Sequence, residues 1–114
     1  MLNVTIDRTA WVRGDPKNSW LLDTNGHRCC IGFLAQALGL KDKDLIGQPT
    51  LKHTFDEASP HNACLRTFHA DNLHRISTAY HVNDTPDLTE PLREQRIIEL
   101  GTTMGVNFRF EGGS

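Results

Sequence analysis

Two adjacent cysteines, Cys29 and Cys30, stand where a turn meets the first residues of an apolar helix. A helix N-terminus carries partial positive charge, which favours the thiolate form of a cysteine placed there, and Arg28 adds a neighbouring cation. The pair is therefore the place where the sequence could support a cysteine-dependent hydrolase, with one thiol as nucleophile. The favoured interpretation is structural, because no histidine stands out as the base and a buried cysteine packs as a small hydrophobic side chain.

A second candidate is a zinc site in the histidine-containing middle of the chain. His61, Cys64 and His69 bring suitable ligand types close together in sequence, and structural zinc takes four nitrogen or sulfur ligands in a tetrahedron. The paired C-x-x-C spacing typical of zinc modules is absent. The favoured alternative is a polar surface, and no metal or other cofactor is expected.

A third set of candidates could bind a ligand without turnover. Arginine side chains can converge on an anion and an indole can stack on a nucleotide base. The alternative for each residue is structural, because tryptophans in small domains usually lie in the core and Asn-Asp pairs favour turns. The candidate ligand-binding residues are Arg13, Trp20, Arg28, Asn83 and Asp84.

Composition limits the class of protein. The 114 residues suit one domain, which we place at residues 1–111, with residues 112–114 as a flexible tail. The net charge of −2 and the absence of a basic run argue against binding to duplex nucleic acid. Three cysteines, two of them adjacent, form a poor disulfide framework and favour a reduced, cytoplasmic protein. The longest mostly apolar stretch, residues 29–40, is too short to span a membrane.

Hydrophobic periodicity predicts an α+β fold. Alternating apolar residues predict strands at residues 2–6 and 106–110, and we expect these terminal strands to pair. Helical spacing predicts a core helix at residues 28–38, ended by Gly39, and further helices at 72–82 and 89–104, capped by Asp71 and Thr89. Short helices are expected at residues 8–13 and 41–46, and a long irregular segment at 49–70. Three to four of these helices would cover the small sheet.

Set in order, four short segments resemble a group of small, uncharacterised proteins encoded by tailed phages and prophages. They are W-x-R-G at residues 11–14, C-C-x-G at 29–32, G-x-P at 47–49 and N-D at 83–84. The likeness covers residues 10–110 and carries no catalytic residue across to this chain. In physical terms its glycines and turn residues specify a fold, since they end helices and allow close approach of the backbone.

The resemblance implies an accessory protein that works in the cytoplasm of a bacterial host. The expected activity is binding without turnover, either to a host protein or to a small signalling ligand such as a nucleotide used in bacterial defence. Self-association into a homo-oligomer is compatible with this expectation. The alternative remains the cysteine-dependent hydrolase based on Cys29 or Cys30.

Overall fold

The computed structural model describes residues 1–17, 19–51 and 63–113. Strand β1 (Leu2–Asp7) and strand β2 (Val106–Glu111) form a two-stranded parallel sheet, in which Leu2 lies opposite Val106 and Asp7 opposite Glu111. The helices described are α1 (Cys30–Ala37), α2 (Asp42–Leu45), α3 (Ala63–Asp71), α4 (Leu73–Asp84) and α5 (Glu90–Thr103). Among the described residues, no helix is both long enough and apolar enough to cross a membrane.

The core lies between one face of the sheet and the helices. Val4, Ile6, Val106 and Phe108 are buried on that face. Helix α1 packs against β1, α5 packs against β2, and α4 contacts both helices. Gly101 lets α5 approach β2 closely, because a Cβ atom at this position would lie 2.8 Å from the Val106 carbonyl oxygen. The opposite face of the sheet is polar.

Helix α1 is positioned by its surroundings at both ends. It ends at a Schellman motif, in which Gly39 adopts a φ of +94° and the N–H groups of Gly39 and Leu40 donate to Gln36 and Ala35. This confirms the predicted role of Gly39. At the start of the helix, Gly32 is required by packing, since a Cβ atom there would clash with the Leu21 carbonyl group and lie 2.8 Å from its carbon.

The structure confirms an α+β fold with a sheet built from the two terminal strands. The predicted helix at residues 8–13 is wrong: Asp7 Oδ1 accepts hydrogen bonds from the backbone and hydroxyl of Thr9, and Trp11 then pairs with Arg28 in a parallel bridge. The segment predicted to be irregular contains α3, which brings the helices in the described part of the chain to five. Helix α4 follows Asn72, so Asp71 is not its N-cap. The domain boundary at residue 111 stays a prediction, although the Gly112 carbonyl accepts a hydrogen bond from Arg8.

Candidate functional site

The cysteine pair lies inside the protein. Cys29, in extended conformation, immediately precedes α1 and Cys30 is its first residue; the two are 1% and 0% exposed. The Cys29 N–H donates to the carbonyl of Trp20 at 2.9 Å. The Cys30 Sγ lies 3.8 Å from the Ala79 carbonyl oxygen on α4, so its weak donor is directed at the neighbouring helix. Both side chains pack as parts of the core.

The electrostatic setting of the pair is opposite to that of a reactive thiol. Burial raises the pKa of Cys29 to about 12, although the backbone amides of Gly32 and Ile31 partly oppose the shift. Burial also raises the pKa of Cys30 well above its ordinary value, and the nearby Asp84 carboxylate adds to both shifts. The helix N-terminus therefore acts on these thiols in the expected direction, but desolvation outweighs it. Both thiols are protonated at neutral pH in this conformation.

The polar centre beside the cysteines is Asn83, which is 0% exposed at the end of α4. Its Oδ1 accepts hydrogen bonds from the Trp11 indole N–H at 2.8 Å and from the Cys30 backbone N–H at 3.0 Å. Its Nδ2 donates to the Val12 carbonyl and to Asp84 Oδ1, both at 3.0 Å. Both ends of the amide are thus satisfied inside the protein, and Asn83 ties three separate chain segments together.

Arg93 is a second buried polar centre, which sequence reasoning did not single out. Its side chain on α5 is 2% exposed, and Nη1 donates to the carbonyls of Val82 at 2.7 Å and Asn83 at 3.0 Å. These carbonyls belong to the last turn of α4, so a cation from one helix caps another. Gly14 adopts a φ of +68°, which favours glycine, and a Cβ atom there would lie 3.3 Å from Arg93 Nη2. The available signal was helical spacing, because Arg93 shares the buried face with Ile97 and Gly101.

Four sequence segments, at residues 11–14, 29–32, 47–49 and 83–84, are linked around Asn83 and the start of α1. Residues 11–14 and 29–32 both hydrogen-bond to Asn83 of the segment 83–84. Segment 47–49 pairs with residues 21–22 through two backbone hydrogen bonds, and residues 20–21 in turn cover the start of α1. The shared feature of these segments is therefore an internal junction that holds the loops to the N-terminus of α1.

The other predicted ligand-binding residues also have internal partners. The Arg13 guanidinium lies 4.5 Å from the Trp11 ring centroid, and its Nε donates to Glu90 at 2.9 Å. Arg28 is 6% exposed; its Nη2 contacts the Asp42 carboxylate at 2.7 Å, and its Nη1 has no hydrogen-bond partner among the described residues. Asp84 is half-buried and is held by Asn83. These contacts position the chain and leave little of these side chains to bind a ligand.

Trp20 is half-buried, and its backbone carbonyl accepts a hydrogen bond from the Cys29 N–H. Of the predicted zinc ligands, His61 and the side chain of Cys64 lie outside the described residues. His69 is half-buried on α3, and burial lowers its pKa. Within the described part of the chain, no three His, Cys, Asp or Glu side chains are grouped so as to hold a metal ion.

A surface groove lies between α4 and α5, away from the predicted residues. It encloses about 360 Å³. The residues that line it are Thr78 and Val82 from α4 and Arg96, Glu99, Leu100 and Thr103 from α5. Val82 and Leu100 supply an apolar floor, while Arg96 and Glu99 place opposite charges beside it. Glu99 accepts a hydrogen bond from Gln95 at 3.1 Å, and Arg96 has no side-chain partner among the described residues.

Sequence reasoning missed this groove because its lining comes from two helices whose packing it did not specify. The available signal was the spacing of Arg96, Glu99 and Thr103, which share one face of α5. In comparisons with known proteins, no family model, no curated protein and no solved structure matches the chain.

Proposed function

We propose that this protein is a phage or prophage accessory protein that acts in the bacterial cytoplasm by binding a host protein, without catalytic turnover. The proposed binding site is the groove between α4 and α5. The observation that carries the proposal is an open, apolar-floored groove with Arg96 on its rim, whose side chain has no partner within the described part of the chain. The phage origin rests on the resemblance of the four sequence segments.

The placement of the chemically capable residues supports binding over catalysis. A nucleophile must be accessible and partly ionised, whereas both thiols are buried and protonated at neutral pH. Arg13 and Asn83 are occupied by contacts within the protein. The hydrolase alternative would require the junction around Asn83 to open, which would leave several buried donors without acceptors.

The lining of the groove favours a protein segment over a nucleotide. A nucleotide site needs several donors directed at the phosphates, and this groove supplies Arg96 as its cation. Its floor of Val82 and Leu100 suits one apolar side chain, such as leucine or methionine. Arg96 and Glu99 would pair with an acidic and a basic residue on either side, and such complementary charges fix the register of a docked segment. The occupant we propose is an amphipathic segment of this kind.

Site-specific photo-crosslinking tests the proposal. A benzophenone amino acid is placed at Thr103, which lines the groove, or at the exposed neighbour Thr102, which does not, in the bacterium that harbours the gene. We expect a host-protein adduct from position 103 and none from position 102. Equal adducts, or none at either position, contradict the proposal. A nucleotide that copurifies with the protein, and that no longer copurifies with the Arg96→Ala variant, would show that the ligand of the groove is a small molecule and not a protein.

A further inference from the structure

Within residues 1–17, 19–51 and 63–113, no strand pairs with the outer edge of β1. The Leu2 N–H donates to Gly105, the residue before β2, and the Arg8 N–H donates to Glu111 at the end of β2. In a parallel ladder the N–H and C=O groups of one residue point to the same side. The backbone N–H and C=O groups of the even-numbered residues of β1 therefore point towards β2. The N–H and C=O groups of Asn3 and Thr5 point away from it, and among the described residues nothing hydrogen-bonds to them.

The middle of this edge lacks two features that usually prevent strands from pairing, charge and proline. Natural edge strands are protected by charged side chains, prolines, bulges or a covering element. Residues 2–6 contain no charge and no proline, and Asn3 and Thr5 are exposed; the charged residue of β1, Asp7, is at the last position of the strand. The β2 strand differs, because Arg109 and Glu111 lie on its solvent face and α5 approaches the Val106 carbonyl closely.

We propose that β1 pairs with β1 of a second copy of this chain, antiparallel and centred on Val4. Asn3 of one copy then lies opposite Thr5 of the other, and each such pair exchanges two backbone hydrogen bonds. The two-fold axis makes four intermolecular bonds in all. The result is a continuous four-stranded sheet in the order β2-β1-β1-β2, with the helices of both copies on one face.

The self-complementarity of this edge argues for a second copy as the occupant. Pairing about Val4 places uncharged Asn3 against uncharged Thr5 twice, so that no like charges meet. The α4–α5 groove is a different surface, so this inference does not depend on the proposed function.

Sedimentation equilibrium over a concentration series tests the dimer. We expect a reversible species of twice the 12.8 kDa chain mass. Thr5→Pro removes an N–H that points away from β2 and so spares the internal ladder. It deletes two of the four intermolecular bonds, which predicts a dissociation constant about 25-fold higher, at about fivefold per bond. Thr102→Lys, on the surface of α5, is the control and leaves association unchanged.

A protein that stays monomeric up to about 1 mM overturns the proposal, as does a dimer that Thr5→Pro leaves intact. Two further variants cover the case in which Thr5→Pro unfolds. Asn3→Lys with Thr5→Lys sets like charges opposite each other, and Asn3→Lys with Thr5→Glu sets opposite charges there. Both lose the Asn107–Asn3 side-chain hydrogen bond equally. We expect the second to dimerise at least about tenfold more tightly, and equal affinities exclude the register.

Discussion

Replacement of Asn83 by alanine should remove a large part of the stability of this protein. The substitution strands two buried donors, the Trp11 indole N–H and the Cys30 backbone N–H, which both donate to Asn83 Oδ1. A buried donor without an acceptor costs about 1–3 kcal/mol. Two such donors give about 4 kcal/mol, and the cavity left by the amide adds to this. Small domains have free energies of unfolding of about 5–15 kcal/mol, so Asn83→Ala should be close to unfolding.

Urea denaturation followed by circular dichroism measures this loss. A shift of the midpoint at constant m-value reports stability alone. Trp11→Phe removes one donor and leaves Asn83 Oδ1 bonded to Cys30, so it should cost about 1 kcal/mol. In the double variant the indole donor is no longer stranded. The double variant should therefore lose less stability than the sum of the losses in the two single variants, by about 1 kcal/mol or more.

Asn107→Ala provides a matched control. Its side chain also makes a hydrogen bond, to Asn3 Oδ1 at 3.0 Å, but on the solvent face of the sheet. The expected loss there is below about 0.5 kcal/mol, as for other surface substitutions. The reasoning is refuted if Asn83→Ala and Asn107→Ala shift the midpoint equally, or if the double variant shows no coupling.

Three further predictions concern the start of α1. Iodoacetamide at about pH 8 should leave Cys29 and Cys30 unmodified in the folded protein and should label both in urea. Rapid labelling of the two thiols without urea would show that the junction around Asn83 opens. The free energy of unfolding should fall as the pH rises from 9.0 towards about 12, because the Cys29 thiol then releases its proton in the unfolded chain and keeps it in the folded one. The Cys29→Ala variant should show a smaller dependence of this free energy on pH. An unchanged dependence would count against the burial argument. Gly32→Ala should lower the free energy of unfolding by at least about 2 kcal/mol, because the added Cβ atom clashes with the Leu21 carbonyl. Gln36→Ala, on the exposed side of the same helix, should leave the free energy of unfolding nearly unchanged. A Gly32→Ala variant as stable as the original protein would disprove the close approach.

Local patterns in the sequence predicted the regular elements well. Alternation identified β1 and β2, and the apolar spacing after Cys30 identified α1, because burial of one face leaves a periodic trace. The parallel direction of the strands has no such trace. Residues 8–13 show the limit of the method: their spacing is helical, but a turn at Asp7 and the pairing of Trp11 with Arg28 determine their conformation.

The candidate site was less predictable for a different reason. Sequence reasoning treated Arg13, Arg28 and Asn83 as ligand-binding candidates because their groups could contact a ligand. In the fold these groups contact other parts of the chain up to 77 residues away, and long-range partners of this kind cannot be read from spacing. The partners that the structure shows for these residues are internal.

The affinity of the crosslinked host protein for groove variants tests the central claim most directly. Thr103→Arg and Thr102→Arg add the same charged side chain to adjacent exposed positions of α5, and the first of these lines the groove. Isothermal titration calorimetry should show binding weakened at least about tenfold by Thr103→Arg and changed less than about twofold by Thr102→Arg. Equal affinities for the two variants would contradict recognition through the α4–α5 groove.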